Sequence, residues 1–249
     1  MLYILAFLLS LVPSVLIYIW LRNRHRDDVL YKKSCGSALK RGIFCVLPIL
    51  VLSGVLSVLS GALKAALLKD ANILVHKAIY TFVVLALAEE IVKYAAFRLL
   101  LKKRSRPYSW ADVAAVMVII GTGFGLIEDV PYAIDASPGI MLVRGLTMGH
   151  VAYGFIMGWF YGKRLYTGKK RYGWIAVLLP WLLHGIYDFS LVPELIEFND
   201  NLVVIAVTMA LLEVVVLILM IRFFIRSRRK ERYQQPVISV IRTENESGT

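Results

Sequence analysis

The sequence predicts an all-α, polytopic transmembrane helical bundle of about seven spans, with the N-terminus outside and the C-terminus in the cytoplasm. Three observations predict it. Of the 249 residues, 59% are hydrophobic and the mean hydropathy is +0.68, far above an ordinary globular domain. The apolar residues fall into runs of about 20, the length a helix needs to cross ~30 Å of hydrocarbon. Lys and Arg gather in alternate connecting segments, the asymmetry that orients membrane proteins.

The first run, 2–21, has no basic leader and no A-x-A-like cleavage site, so it reads as a retained helix. Run 43–63 is uniformly apolar, whereas 78–101 contains Glu89, Glu90 and Lys93. Run 111–134 carries Glu128 and Asp129, run 140–161 carries Arg144 and His150, and run 174–192 carries His184 and Asp188. The last, 202–225, leads into a basic stop. Segments 22–41, 102–106, 163–171 and 222–242 hold 7, 4, 5 and 7 of the 29 Lys and Arg residues. The alternate segments 64–77, 135–139 and 193–200 hold three, none and none, which orients seven spans with the N-terminus outside.

No polar block is long enough for a soluble domain. Residues 1–232 therefore read as one transmembrane bundle domain and 233–249 as a polar, disordered cytoplasmic tail. The net charge of +12 is split among short clusters between apolar runs. That placement fits contact with the lipid bilayer and excludes a nucleic-acid partner. Cys35 and Cys45 flank basic cytoplasmic segments, so no disulfide framework is expected. His25, in a basic loop, reads as solvated, and oligomeric state is left open.

The ionisable residues inside the runs carry the functional signal, since a carboxylate at a helix centre costs ~2.5–3.5 kcal/mol on insertion scales. Counting ~1.5 Å per residue from the outer ends puts Glu89, Glu128, His150 and His184 at depths of roughly 9–17 Å. Four helices thus bring an ionisable group to one layer in the outer half of the bilayer. Each helix also shows a four-residue step: Glu89 to Lys93, Phe124 to Glu128, His150 to Gly154 and His184 to Asp188. Residues four apart share a helix face. Asp188 is therefore placed to orient His184 or a water, Lys93 to neutralise a carboxylate, and Gly154 to admit a neighbouring helix or a substrate backbone. Adjacent Glu89 and Glu90 point about 100° apart, so Glu90 reads equally well as a buried partner of Lys93 or Arg144.

These steps spell EExxK at Glu89–Lys93, FxxxE at Phe124–Glu128, HxxxG at His150–Gly154 and HxxxD at His184–Asp188. Four such motifs in this order, on separate apolar runs, resemble the PrsW family of bacterial intramembrane proteases, over a motif core of about 75–200. The resemblance implies membership of the wider superfamily of CAAX-processing and bacteriocin-associated proteases, in which Glu89, Glu128, His184 and Asp188 fall on the catalytic positions. It also implies a bacterial inner-membrane location and cleavage of a membrane-protein substrate, such as a single-pass anti-sigma factor.

Peptide hydrolysis needs an activated water, a base and charge to hold the oxyanion. Glu89 is the expected base, with Glu90, Glu128, His184 and Asp188 as the other catalytic candidates. In a metal-dependent version His150, His184 and Glu128 form a His2Glu set for Zn2+, with a position left for water. In a metal-free version His184 and Glu128 hold the water and a protonated His or Lys93 meets the oxyanion. An H-E-x-x-H signature is absent, so that zinc motif does not decide between them. An ion- or proton-coupled transporter is the main rival, since buried Glu, His and Asp also build ion pathways. It is disfavoured by the lack of a paired-half repeat. A noncatalytic membrane scaffold is disfavoured by the complete Glu, Glu, His, Asp set.

Topology is directly testable. Reporters fused within 22–41, 102–106, 163–171 or after Arg232 should report the cytoplasm, and fusions within 64–77 or 193–200 the exterior. An even number of crossings, or a cytoplasmic N-terminus, would contradict the orientation.

Overall fold

The computed structural model describes residues 2–69, 71–102, 109–135, 137–197 and 199–230. The expected disordered tail at 233–249 lies outside them. The described residues form α1 (Leu2–Arg22), α2 (Val29–Phe44), α3 (Val46–Leu67), α4 (Ile73–Ala78), a π-helical segment (Ile79–Ala86), α5 (Leu87–Lys102) and α6 (Trp110–Asp135). They continue as α7 (Pro138–Thr147), α8 (Gly149–Thr167), α9 (Arg171–Ser190), α10 (Pro193–Ile196) and α11 (Asn201–Lys230), with no strand among them.

Helix α6 is the axis. Residues 111–124 are buried on every side, the condition under which an all-round apolar helix is stable. Helix α8 lies against it through Gly154, Gly158 and Gly162, spaced four apart. A Cβ on Gly158 would sit 2.8 Å from Ala114 Cα, and one on Gly154 3.0 Å from the Met117 carbonyl oxygen. Between membrane helices, where hydrocarbon solvates apolar side chains as well as protein does, such close backbone contact is a main source of attraction. Helix α2 meets the opposite side, with a Cβ on Gly42 falling 2.9 Å from Gly123 Cα. It buries Tyr31, Cys35, Ala38 and Gly42 and exposes Lys33 and Lys40. Both cysteines are buried, and neither is in a disulfide.

Five stretches are long and apolar enough to cross a membrane by length and composition: Leu2–Arg22, Val29–Leu67, Trp110–Ile134, Pro138–Thr167 and Asn201–Arg228. The expected spans 78–101 and 174–192 correspond to α4 through α5 and to α9, the helices that carry Glu89, Glu90, Lys93, His184 and Asp188. Each of the two still turns an apolar stripe outward. Trp174, Leu178, Leu182 and Ile186 are exposed on α9, and Ile91 and Leu99 on α5. Apolar residues outside with charges inside is the arrangement that suits lipid.

Two expected spans are not continuous α-helices. In the third, the π-helical segment widens the helix before the glutamates. The Leu87 amide donates to the Phe82 carbonyl, which also accepts the Trp181 indole N–H at 2.7 Å, while the Phe82 ring fills the space beside Gly185. Anchoring to α9 therefore holds the π geometry, a rare form seen mostly at functional sites. In the fifth, Met148 adopts the left-handed conformation (φ 45, ψ 51) and separates α7 from α8. His150 thus stands in the first turn of a new helix, not midway along an old one. At the far end of α6, His25 is also more than a solvated residue: its Nε2 lies 2.8 Å from the buried Asp112 carboxylate, with Arg24 3.7 Å away. A carboxylate buried in the first turn of α6 requires such partners.

Candidate active site

Helices α5, α8 and α9 bring four donor side chains together. One ligand atom from each of Glu89, Glu90, His150 and His184 lies within 4.8 Å of all the others. On α5, Glu90 and Lys93 are one turn apart and fully buried. The Lys93 ammonium is the hub, lying 2.6 Å from Glu90 Oε1, 3.4 Å from Glu89 Oε2 and 3.1 Å from His150 Nδ1. It also faces the Phe124 ring at 4.5 Å from the centroid, a cation–π contact strengthened by desolvation.

The lysine defines a tautomer. An ammonium can only donate, so His150 Nδ1 accepts from Lys93, and its Nε2–H donates to Glu128 Oε2. His184 is held from both sides: Nδ1 lies 3.0 Å from Glu90 Oε1, while Nε2 lies 3.4 Å from Asp188 Oδ2 and 3.9 Å from Glu89 Oε2. The expected orientation of His184 by Asp188 is thus present in the geometry. The two imidazoles cross edge to face with centroids 5.2 Å apart.

Glu128 stands beside this group rather than in it. Besides His150, it accepts from Arg144 at 3.1 Å, and the same guanidinium donates to Asp129 at 3.1 Å and covers the Tyr132 ring at 3.8 Å. Arg144 therefore ties α7 to α6. The compact donor set differs from the expected His2Glu set by holding Glu89 and Glu90 in place of Glu128.

A cleft of about 520 Å³, open solvent included, lies over the histidines, lined by Glu128, Asp129, Arg144, His150, His184 and Asp188 among others. Glu213 of α11 also lines it and is buried at 2% exposure. Glu213 stands outside the motifs, although the signal that singled out Glu89 applies to it as well: a carboxylate inside an apolar run. It lacks a motif partner four residues away, and its partner, Tyr153, lies 60 residues distant on α8.

The donors fit a metal ion. Two carboxylates and two imidazoles make a nitrogen–oxygen set suited to zinc and related metals. Glu90 Oε2 is buried with no hydrogen-bond partner, an acceptor that a cation would satisfy. The His150 lone pair at Nδ1 and the carboxylates already converge on one positive charge, that of Lys93.

Residues 38–222 match the model of the family described as PrsW family intramembrane metalloprotease. The chain is 28% identical over 201 residues to Protease PrsW of Clostridioides difficile (strain 630), covering 76% of this chain and 79% of that one. It is 28% identical over 127 residues to Protease PrsW of Geobacillus kaustophilus (strain HTA426), covering 49% and 56%. It is 36% identical over 77 residues to Protease PrsW of Bacillus subtilis (strain 168), covering 29% and 35%. No solved structure matches the chain.

If Lys93 neutralises the site, Lys93→Met strands Glu90 in an apolar interior. Breaking a buried pair on one side costs about 3–5 kcal/mol, so thermal unfolding in detergent with a chelator present should show a large loss of stability. Adding Glu90→Gln should restore most of it. A Lys93→Met protein as stable as the parent would show that the charges are not coupled.

Proposed function

The chain belongs to the PrsW family of intramembrane metalloproteases, a multi-pass bacterial membrane protease, and from that premise we propose that the Glu89, Glu90, His150, His184 group is its hydrolytic centre. The carrying observation is the convergence of these four donors within 4.8 Å, beside an open cleft lined by the two histidines. We assign zinc as the metal, to be held by His150, His184 and Glu90, with His150 Nδ1 exchanging its Lys93 donor for the metal and one position left for water beside the uncoordinated Glu89. When bound, zinc supplies a Lewis acid that lowers the pKa of a water and polarises the scissile carbonyl.

The chain's own residues divide the remaining work. Glu89 is the base. Its nearest polar neighbours lie at 3.4 and 3.9 Å and its side chain keeps 12% exposure, whereas Glu90 Oε1 is held at 2.6 and 3.0 Å and its side chain has 1%. The looser carboxylate is the one free to take a proton from water and return it to the leaving amine. Glu90 fixes the His184 ring through Nδ1, and Asp188 faces the other nitrogen. Glu128 fixes His150 through Nε2 and is itself held by Arg144. Such partners orient a ligand ring and raise its basicity.

The substrate we propose is a single-pass membrane regulator such as an anti-sigma factor, cut near the outer face. Supporting this, the cavity wall includes Asp129 from the C-terminal part of α6 and Arg144 and Thr147 from α7, the two helices whose connection lies outside by the distribution of Lys and Arg. Seven crossings with the N-terminus outside accommodate this arrangement.

The test is cleavage of single-pass peptides by purified protein in proteoliposomes. Glu89→Gln should lower the rate at least ~10²-fold, the low end for general acid–base catalysis, with folding retained because a neutral amide is cheaper to bury than a carboxylate. Asp188→Asn should be milder, since the amide keeps one acceptor. A strong chelator should abolish cleavage and added zinc restore it. Near-normal cleavage by folded Glu89→Gln would refute the assignment of the base, and indifference to chelation that of the metal. Proton or ion flux into vesicles lacking peptide would favour a transporter instead.

A further inference from the structure

Glu213 is the carboxylate at this cavity that lacks a cationic partner among the described residues. It is the single acidic residue in the apolar body of α11. Its Oε1 accepts the Tyr153 hydroxyl at 2.5 Å, and its Oε2 is buried with no partner at hydrogen-bond geometry; the neighbouring donor, the Thr147 hydroxyl, is turned to the Arg144 carbonyl at 3.4 Å. Space is cleared for it, since a Cβ on Gly149 would lie 2.8 Å from Oε1. The other carboxylates of the cavity are matched: Glu128 and Asp129 by Arg144, and Asp188 by His184. Tyr153 stacks on His184, with centroids 5.2 Å apart and planes 26° apart. One aromatic ring therefore separates Glu213 from the proposed centre. A buried carboxylate left one donor short is costly to keep charged unless something supplies that donor, and Glu213 lines the cavity.

We propose that Glu213 is a specificity-determining residue whose free oxygen binds the Lys or Arg side chain of the substrate next to the scissile bond. This rests on the reading of the cavity as the hydrolytic cleft. A basic side chain is favoured over a neutral donor because it offsets the charge of the carboxylate as well as filling its vacant acceptor. Tyr153 holds the carboxylate in place by occupying Oε1, leaving Oε2, enclosed until a substrate side chain enters beside it, as the vacant acceptor. Gly149 and the break at Met148 make room for the pocket between α7, α8 and α11.

The experiment measures binding of fluorescent single-pass peptides to the Glu89→Gln protein in lipid nanodiscs, so that no turnover is required. The peptides carry Lys, or norleucine as an uncharged counterpart of similar length, at each of three positions on either side of the cleavage site. At one position Lys should bind at least about tenfold more tightly than norleucine, the scale of a charge-assisted hydrogen bond. In Glu89→Gln/Glu213→Gln that ratio should fall to about one. Equal affinity for Lys and norleucine at every position on the Glu213-containing protein would overturn the proposal, even if the double variant fails to fold. So would a preference that survives Glu213→Gln unchanged. A Lys preference that depends on Glu213, in a protein whose parent cleaves none of the peptides, would instead count against the proposed protease function and leave the binding site standing.

Discussion

A protonated lysine enclosed among helices that face lipid is the interaction on which the rest of the structure depends. Lys93 is fully buried, and an isolated ammonium in that setting is far too costly to keep. Its partners come from two helices, with Glu89 and Glu90 on α5 itself and His150 on α8. Those partners in turn hold His184 on α9 and Glu128 on α6, and through Glu128 the network reaches Arg144 on α7. Charge neutralisation is thus a cross-helix tie among elements that otherwise touch through apolar contacts. The same convergence places donors where a metal and a water can be held, so the constraint that orders the bundle also assembles the chemistry.

Close helix contact makes this network possible. Polar side chains of ordinary length meet only if the backbones carrying them approach closely, which the glycines of α8 allow against α6. Gly121 of α6 lies directly against the His150 backbone, so the first turn of α8 is positioned by packing as well as by hydrogen bonds. The glycine of the HxxxG motif, Gly154, contributes to the seam and not to the polar group. A motif that reads as one unit in sequence therefore combines a donor with the spacing element one turn away.

Much of this was legible in the sequence. Hydropathy and charge asymmetry pointed to a helical membrane bundle, and the four-residue steps picked out Glu89, His150 and His184, which do meet, together with Glu128, which stands beside them. What escaped has physical reasons. The π-helical segment depends on the Phe82 carbonyl being shared with Trp181, 99 residues away, so no local pattern marks it. The break at Met148 uses a non-glycine left-handed residue, a conformation with no strong sequence signature outside Gly, Asn and Asp. His25 was read as solvated because its partner, Asp112, is remote in sequence. Glu213 was read past because its run is otherwise so apolar that hydropathy absorbs one charge. In the two runs richest in site residues, those same residues lower the apolarity that marks a span.

Protease and transporter differ in what the buried charges are for. A transporter's groups exchange an ion between two sides, whereas here the donors close around one point and the cavity lies over the histidines. The most direct test of that account is X-ray absorption at the zinc edge on the purified, zinc-loaded protein. The account predicts one tightly held zinc per chain with nitrogen and oxygen neighbours only, two of them imidazoles, and loss of one imidazole in His150→Ala and in His184→Ala. A folded protein that retains no zinc, or a zinc whose surroundings are unchanged by both substitutions, would contradict it.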